Sequence, residues 1–461
     1  MPVKCYQRIS EKEEKILDTN LLKQILPVEG QVLENFGETD WSLFGRQAHA
    51  VVFPHSEEEV TSILSVANEN NWNCMPAGNG TWLEGCLNTD RDVNLVLSIS
   101  KMNNILVHEP DNLFVELEAG VTLEQLQATL RSSKQWLPLD PPGANSSTMG
   151  AIVATSSCGA LQTGFGKPRD HVLGATLITG DGKTLELGGK TVKNVAGFDL
   201  LKLLSGSWGR FGVITKLVMR LHPLPEADRT LLFSSNQQHP GPRLAHDIMH
   251  TPAMLQSISI LSPGLGEEPE SKDTRVAVRI LESEAAVDQV EALILEQVKI
   301  SPLKKMNGLE SKKFFERLHN VDENSDVVIR VTSLPSEVGI LIDQLENLQH
   351  LVAEKDGFGI KFLAHSESGV LIVLIDNLKR DENWLIQSTK ALLKLRTSVE
   401  NYGGSLTLLH APEDLIRAVK PWGSLSEVET LFSGLEKVFD PTGILSQREL
   451  PKRKTEGRQC L

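Results

Sequence analysis

Apolar residues along the chain recur with two periods, near 3.6 and near 2, and the changes between them mark its elements. EEKILDTNLLKQIL, near the N-terminus, has the helical period. AHAVVFP reads as a strand ended by proline, and SEEEVTSILSVANENN as a helix. Ser56 is its N-cap, and Glu57 to Glu59 sit where the helix dipole favours negative charge. NWNCMPAG predicts a strand that runs straight into the glycine loop PAGNGTWLEGC, and NLVLSI predicts another.

From residue 113 strands dominate, with LFVELEAG followed by the helix TLEQLQATLRSSK, capped by Thr122. A stretch dense in small residues, LPLDPPGANSSTMGAIVATSSCGALQTGFG, leads to DHVLGATLITGDGKTLELGG, two strands joined at an Asp-Gly turn. KNVAGFDLLKLLSGS reads as a loop and short helix, and FGVITKLVMRLHPLP as a strand. Pro223 and Pro225 then open a polar stretch that makes a natural domain boundary. Beyond residue 230, EAAVDQVEALILEQV, SEVGILIDQLENLQHLVAEK and ENWLIQSTKALLKLRTSVENY have the helical period. RVAVRI, DVVIRVTS, GIKFLAHS and GVLIVLID are strand-like, and the mixture predicts an α+β second domain.

Composition narrows the partners. The 461 residues are 40% hydrophobic and 23% charged, ordinary for soluble globular domains, two or three in number. A net charge of -14 without a compensating Lys/Arg block argues against nucleic acid, and PKRKTEGR reads as a solvated tail. MPVKCYQRISEKEEK is too polar for a signal peptide, and no apolar run approaches the roughly 18 residues of a membrane helix. The expectation is a cytoplasmic protein that reaches a membrane only through a partner. Cys5, Cys74, Cys86, Cys158 and Cys460 form no CxxC pair and are expected as reduced thiols.

Several chemistries fail on spacing. The Gly-Lys-Thr triplets at Gly182 and Gly189 have Leu177 and Thr184 where a P-loop needs its first glycine. His246 and His250 in HDIMH are flanked by Asp247, whereas the zinc-protease motif has glutamate there, so no metal site is expected. A nicotinamide-type unit places its glycines between the first strand and first helix, but PAGNGTWLEGC follows the second strand. What remains is distributed: small residues cluster at 76–85, 140–166 and 206–212. They fit a cofactor whose pyrophosphate is held by backbone N–H groups, or three unrelated sets of turns; composition leaves both open.

Motif order separates those two readings. Pro76, Gly78, Gly80 and Thr81 match P-x-G-x-G-T after a strand. Asp140–Pro142, Thr148–Gly150 and Phe165–Gly166 follow, then Arg169, Asp170 and Val172 to Gly174, and finally G-S-x-G-x-x-G-V-I-T from Gly206 to Thr215. In this order they resemble the FAD-binding oxidoreductases of the vanillyl-alcohol oxidase (PCMH) type. VKNVAGFDLLKLLSGSWG, with HAPEDLIRAVKPWG and LEKVFDPTGIL near the C-terminus, resembles the glycolate oxidase flavin subunits, especially the E subunit. The resemblance implies an α+β chain: a lead-in over 1–40, a two-part FAD-binding domain over 41–225, an α+β cap over 226–424, and a segment over 425–461 returning to the flavin domain.

It also implies FAD, with the pyrophosphate held by Pro76, Ala77, Gly78, Asn79, Gly80, Thr81 and Trp82. The flavin ring would lie near Pro141, Thr148, Met149, Gly150, Cys158, Gly159, Gly166, Asp170 and Ile214. Covalently flavinylated members carry histidine near the position of Thr81, so noncovalent FAD is expected. Catalytic members oxidise a small 2-hydroxy acid and use a divalent metal held by a G-H-x-G-D-G-N-x-H pattern. Here AHSESGVLI keeps only His365, as a weak catalytic candidate, and SSCG replaces the usual Asn-Ala-Gly-Gly. The implied function is an FAD-binding oxidoreductase subunit of a glycolate dehydrogenase-like complex, partnered by a catalytic flavin subunit and an iron–sulfur subunit. The alternatives are a self-sufficient 2-hydroxy acid dehydrogenase, or a scaffold subunit with an empty flavin fold.

Overall fold

The computed structural model describes residues 17–34, 41–43, 46–83, 93–189, 199–265, 273–321, 325–346, 359–376, 380, 383–423 and 429–445. Cys5, Cys86, Cys460, the basic tail, KTVKNVAGF at 190–198 and the end of the helix expected to reach 355 lie outside them.

Two sheets form the first half. The smaller contains β1 (Val32–Leu33), β2 (Ala50–Val52), β3 (Cys74–Ala77) and β4 (Leu95–Ser98), in the order β1-β2-β4-β3. Both β2 and β3 run parallel to β4. The crossover from β2 to β3 is helix α1 (Glu57–Asn70). Ser56 caps it by accepting from Glu59 N at 3.3 Å, and Val60, Ile63, Leu64 and Ala67 bury one face at the predicted period.

The larger sheet is antiparallel: β5 (Ile105–Glu109), β6 (Phe114–Glu118), β7 (Val172–Ile178), β8 (Thr184–Gly188) and β9 (Val213–Arg220), in the order β8-β7-β9-β6-β5. Gly182 turns the β7–β8 hairpin at φ +79°, so its Gly-Lys-Thr triplet is a turn. Between β6 and β7 lie α2 (Leu123–Leu130) and α3 (Met149–Thr155), the latter capped by Thr148.

The second half is one antiparallel sheet of eight strands, β10 (Ala227–Ser234), β11 (Ser257–Leu261), β12 (Arg275–Glu282), β13 (Lys304–Asn307), β14 (Val327–Thr332), β15 (Gly359–His365), β16 (Val370–Asp376) and β17 (Ser405–His410). Their order is β13-β10-β12-β11-β15-β16-β14-β17. Alternate residues of each strand point to opposite faces. One face sends Phe233, Ile258, Val278, Ile329 and Phe362 into a wholly apolar core. The other face sends Leu232, Ala277, Val328 and Leu363 towards Phe314 and Phe315 of α4 (Leu309–His319), and this smaller core also takes in Ala160 of the first half. The second face therefore looks towards the first half.

The C-terminal helix α5 (Glu429–Phe439) and the residues after it return to the first half. Phe439, Ile444 and Leu445 join its core, Cys74 N donates to Ile444 O at 2.8 Å, and Gly180 N donates to Phe439 O at 2.8 Å. Asp440 accepts from Ile444 N and Leu445 N, and buried Arg210 pairs with Glu436.

Candidate functional site

Three segments rich in glycine and alanine meet at the glycine loop and leave an open cleft. The loop contributes Pro76, Ala77, Gly78, Gly80, Thr81, Trp82 and Leu83, and Ile99 adds one wall. Gly150, Ala151, Ala154 and Thr155 come from one face of α3; Trp208, Gly209, Gly212, Val213 and Ile214 come from the turn entering β9.

The glycines are there because the segments touch. A Cβ on Gly78 would lie 2.0 Å from Thr148 Oγ1, one on Gly212 would lie 2.5 Å from Ile178 O, and one on Gly209 would lie 3.2 Å from the Pro76 ring. Gly80 and Gly209 have φ of +84° and +75°, in the left-handed region that suits glycine. Hydrogen bonds fix the loop from outside: Ser98 Oγ donates to Gly78 O at 2.7 Å, and Asn79 Nδ2 to Ser146 O at 2.7 Å. Trp208, itself at φ +55°, is buttressed edge-on by Trp422 at 5.4 Å.

None of the described lining residues is ionisable. An anionic pyrophosphate here meets backbone N–H groups and the hydroxyls of Thr81 and Thr155, while Trp82, Trp208, Val213 and Ile214 offer apolar surface to flat rings. That donor set fits a dinucleotide.

Of the residues expected to hold the cofactor, the cleft brings together Pro76, Ala77, Gly78, Gly80, Thr81, Trp82, Gly150 and Ile214. Asn79, Thr148 and Met149 stand behind the wall as supports: Thr148 accepts from Ala151 N, and Met149 is fully buried. Asp170 accepts from Lys167 N at 2.8 Å and packs against the Gly166 position, in a turn outside the lining. Ala151, Ala154 and Thr155 of α3, and Trp208, Gly209, Gly212 and Val213, were not named as cofactor residues, although the Gly206–Thr215 motif covers the turn. For the α3 face, the four-residue spacing of Gly150 and Ala154 is the local signal.

Pro141, Cys158 and Gly159 belong to a second constellation, between the halves. Asp140, buried at 8% exposure, accepts from Gly159 N at 3.1 Å and from Leu161 N at 3.1 Å. A Cβ on Gly159 would lie 2.2 Å from Asp140 O. This ties the Cys158 turn against the second face of the cap sheet. Cys158 Sγ donates to Gln162 Oε1 at 3.2 Å and lies within hydrogen-bonding reach of the Arg330 guanidinium on β14. Burial pushes the Cys158 thiol up, with Arg330 and Lys167 opposing the shift.

Arg330 shares its sheet face with Val328, and His365, at the end of β15, shares the same face with Leu363. His365 is 3% exposed, its Nδ1 is 3.0 Å from Ser259 Oγ, and burial lowers its pKa to about 4, so it is neutral at pH 7. His319 Nε2, at the end of α4, lies 2.9 Å from Asp140 Oδ2. Glu367, in the turn after β15, is pushed up to about 7 by burial.

A divalent metal does not fit here. Among the described residues, no three His, Cys, Asp or Glu side chains converge as a metal site, and Ile372 holds the place of the second histidine. His246 and His250 stack at 4.3 Å, with His250 just beyond its helix, and gather no third ligand.

Residues 48–188 match a family model described as an FAD binding domain. The chain is 35% identical over 184 residues to the glycolate oxidase subunit GlcD of Bacillus subtilis (strain 168), covering 40% of this chain and 39% of that protein. It is 38% identical over 136 residues to the glycolate oxidase subunit GlcE of Escherichia coli (strain K12), covering 29% and 39%. These matches span about two fifths of those relatives' length. A longer match, 25% identical over 434 residues, joins 88% of this chain to 92% of the D-2-hydroxyglutarate dehydrogenase of Stutzerimonas stutzeri (strain A1501). An alkyldihydroxyacetonephosphate synthase structure superposes with a TM-score of 0.72 over 94% of this chain and 85% of that one, at 18% identity, and shows the fold alone. The chain thus carries a PCMH-type FAD-binding domain, with FAD as its cofactor, beside an α+β cap.

Proposed function

We propose that this chain is the FAD-binding subunit of a glycolate dehydrogenase-like complex, acting on a small 2-hydroxy acid. Noncovalent FAD would occupy the cleft between the 76–83 loop, α3 and the 208–214 turn. When bound, it supplies a two-electron acceptor.

The observation carrying the substrate reading is Arg330. Its guanidinium makes no ion pair with any described carboxylate, unlike Arg279 of the same sheet, which pairs with Asp228, and it faces Cys158. A substrate carboxylate would find its bidentate donor there. Neutral His365, held by Ser259, fixes the floor beside it. The missing metal ligands favour a subunit that depends on a catalytic flavin partner. The absence of an iron–sulfur cysteine pattern leaves onward electron transfer to another chain. The match along most of D-2-hydroxyglutarate dehydrogenase favours a second reading, a self-sufficient dehydrogenase.

An absorption spectrum of the purified chain, followed by anaerobic glycolate or D-lactate, separates these. Bleaching only with partner subunits supports the complex; bleaching of the isolated chain supports the self-sufficient enzyme. No flavin spectrum after reconstitution with FAD refutes both.

A further inference from the structure

The turn that brings Trp208 and Gly209 to the cofactor cleft is braced by the C-terminal part of the chain. Within the first half, Trp208 N donates to Ala154 O at 2.8 Å, and Gly209 packs against Pro76. These contacts fix the backbone, with Trp208 at φ +55°, a conformation unfavourable to a bulky side chain. The Trp208 ring is met edge-on by Trp422, at 5.4 Å between centroids and 80° between planes. Two residues further along the turn, buried Arg210 pairs with Glu436 of α5.

Trp422 is itself held. The Arg396 guanidinium, 6% exposed on the helix Trp384–Asn401, donates to Val419 O at 2.6 Å and to Lys420 O at 2.8 Å. Leu408 N, on β17, donates to Pro421 O at 2.9 Å. Gly423 leaves the loop at φ +66°, where a Cβ would lie 3.3 Å from Arg396 Cδ and Nε. The backbone on both sides of the tryptophan is therefore tied to one helix and to the strand at the sheet edge.

We propose that Trp422 is a positioning residue for the cofactor: it holds the Trp208 ring in place, so that a flat ring of FAD meets a prepared apolar surface on this wall. The inference rests on the FAD cleft described above. Without Trp422, other rotamers open to the Trp208 side chain, and the apparent FAD affinity falls with the fraction of time its ring is in place. Because the brace is anchored on β17 and the helix Trp384–Asn401, cofactor binding in the first half depends on the second half being docked. Adenine and isoalloxazine are both flat and would use the same surface.

Calorimetric titration of the full-length chain, stripped of flavin, with FAD tests this without turnover. Trp422→Met keeps apolar bulk but no ring, and should weaken FAD about three- to tenfold, the worth of an edge-on aromatic pair. Trp422→Phe should restore most of the affinity. Trp208→Met should lose at least as much, and adding Trp422→Met to it should cost little more, because Trp422 acts through Trp208. ADP and FMN titrated into the same variants identify the ring: loss shared by FAD and ADP assigns adenine, and loss shared by FAD and FMN assigns isoalloxazine. Native FAD affinity in Trp422→Met overturns the inference, as do fully additive losses in the double variant. Gly78→Ala, which strains the 76–83 loop, separates the two ways of failing. FAD weakened there but not in Trp422→Met removes the brace and leaves the cleft; weakening in neither removes the cleft as the FAD site. Hydrogen exchange of the native chain needs no substitution. By linkage, FAD should slow the Leu408 amide about threefold more than the Gly308 amide, at the opposite edge of the sheet, and equal slowing overturns the brace.

Discussion

Gly78→Ala is the sharpest test of the cleft. The added methyl would lie 2.0 Å from Thr148 Oγ1 and 3.0 Å from its Cβ, so reaching ordinary contact at 3.4 Å demands a shift of about 1.4 Å. Thr148 cannot yield cheaply, being fully buried with its hydroxyl capping α3. The 76–83 loop must give way instead, and it is anchored by Ser98 Oγ donating to Gly78 O. Overpacking of this kind costs about 1–3 kcal/mol, and a strained or broken buried hydrogen bond adds about 1 kcal/mol. If most of that falls on the loop that meets the pyrophosphate, FAD affinity drops about tenfold to a few hundredfold. Titration of the apo chain with FAD, followed by flavin fluorescence quenching, measures it. Thr148→Ala in the same chain removes the closest atom and should recover much of the loss, at the expense of part of the helix cap. Native affinity in Gly78→Ala, or no recovery in the double variant, would show that the loop does not form the cofactor wall.

Other consequences follow from charge and packing. His365 and His171 are both held at about 4 by burial, with His222 and Arg220 also repelling a proton on His171. Their folded pKa values lie below the unfolded value near 6.5, so stability is full above that pH. As pH falls towards 4, up to about 3 kcal/mol per histidine is lost, visible as a falling urea midpoint that His365→Gln makes shallower. Glu367 has the opposite sign. Its raised folded value makes stability greatest below about 4.5, with loss as pH rises through about 7. Glu367→Gln should therefore gain about 1 kcal/mol at about pH 8, discounted for partial solvent access, and nothing at about pH 4. Arg210→Ala leaves Glu436 without its cation and should loosen the returning segment by about 3 kcal/mol, read as faster proteolysis between residues 429 and 445.

The elements with a strong period or a cap were legible in the sequence. Ser56 with its acidic first turn, and Asp181-Gly182 between two alternating runs, specify local geometry that no distant contact overrides. The glycine loop was legible as a site but not in its detail. Sequence marks Gly78 as a place of close approach; only the fold shows that the nearest atom belongs to Thr148, seventy residues on. Asp170 illustrates the converse. A motif position names the residue, while its carboxylate is spent on a nearby backbone amide.

Arg330 and His365 were harder for a physical reason. In DVVIRVTS and GIKFLAHS apolar residues fall on both strand parities, because the cap sheet is covered on both faces, so alternation fades as a signal. Yet parity survives in the polar exceptions. Ser259, Arg330 and His365 fall on the same face as Leu261, Val328 and Leu363, the face that receives Ala160. Burying a guanidinium and an imidazole on that side costs free energy; on the opposite face the cation, Arg229 near the sheet edge, is paired with Asp288 and Glu291. The described residues that line the cofactor cleft, by contrast, include no ionisable group. The chain thus separates two tasks: backbone donors and hydroxyls line the cofactor cleft, while Asp140 and Arg330 place charge beside the Cys158 turn at the junction.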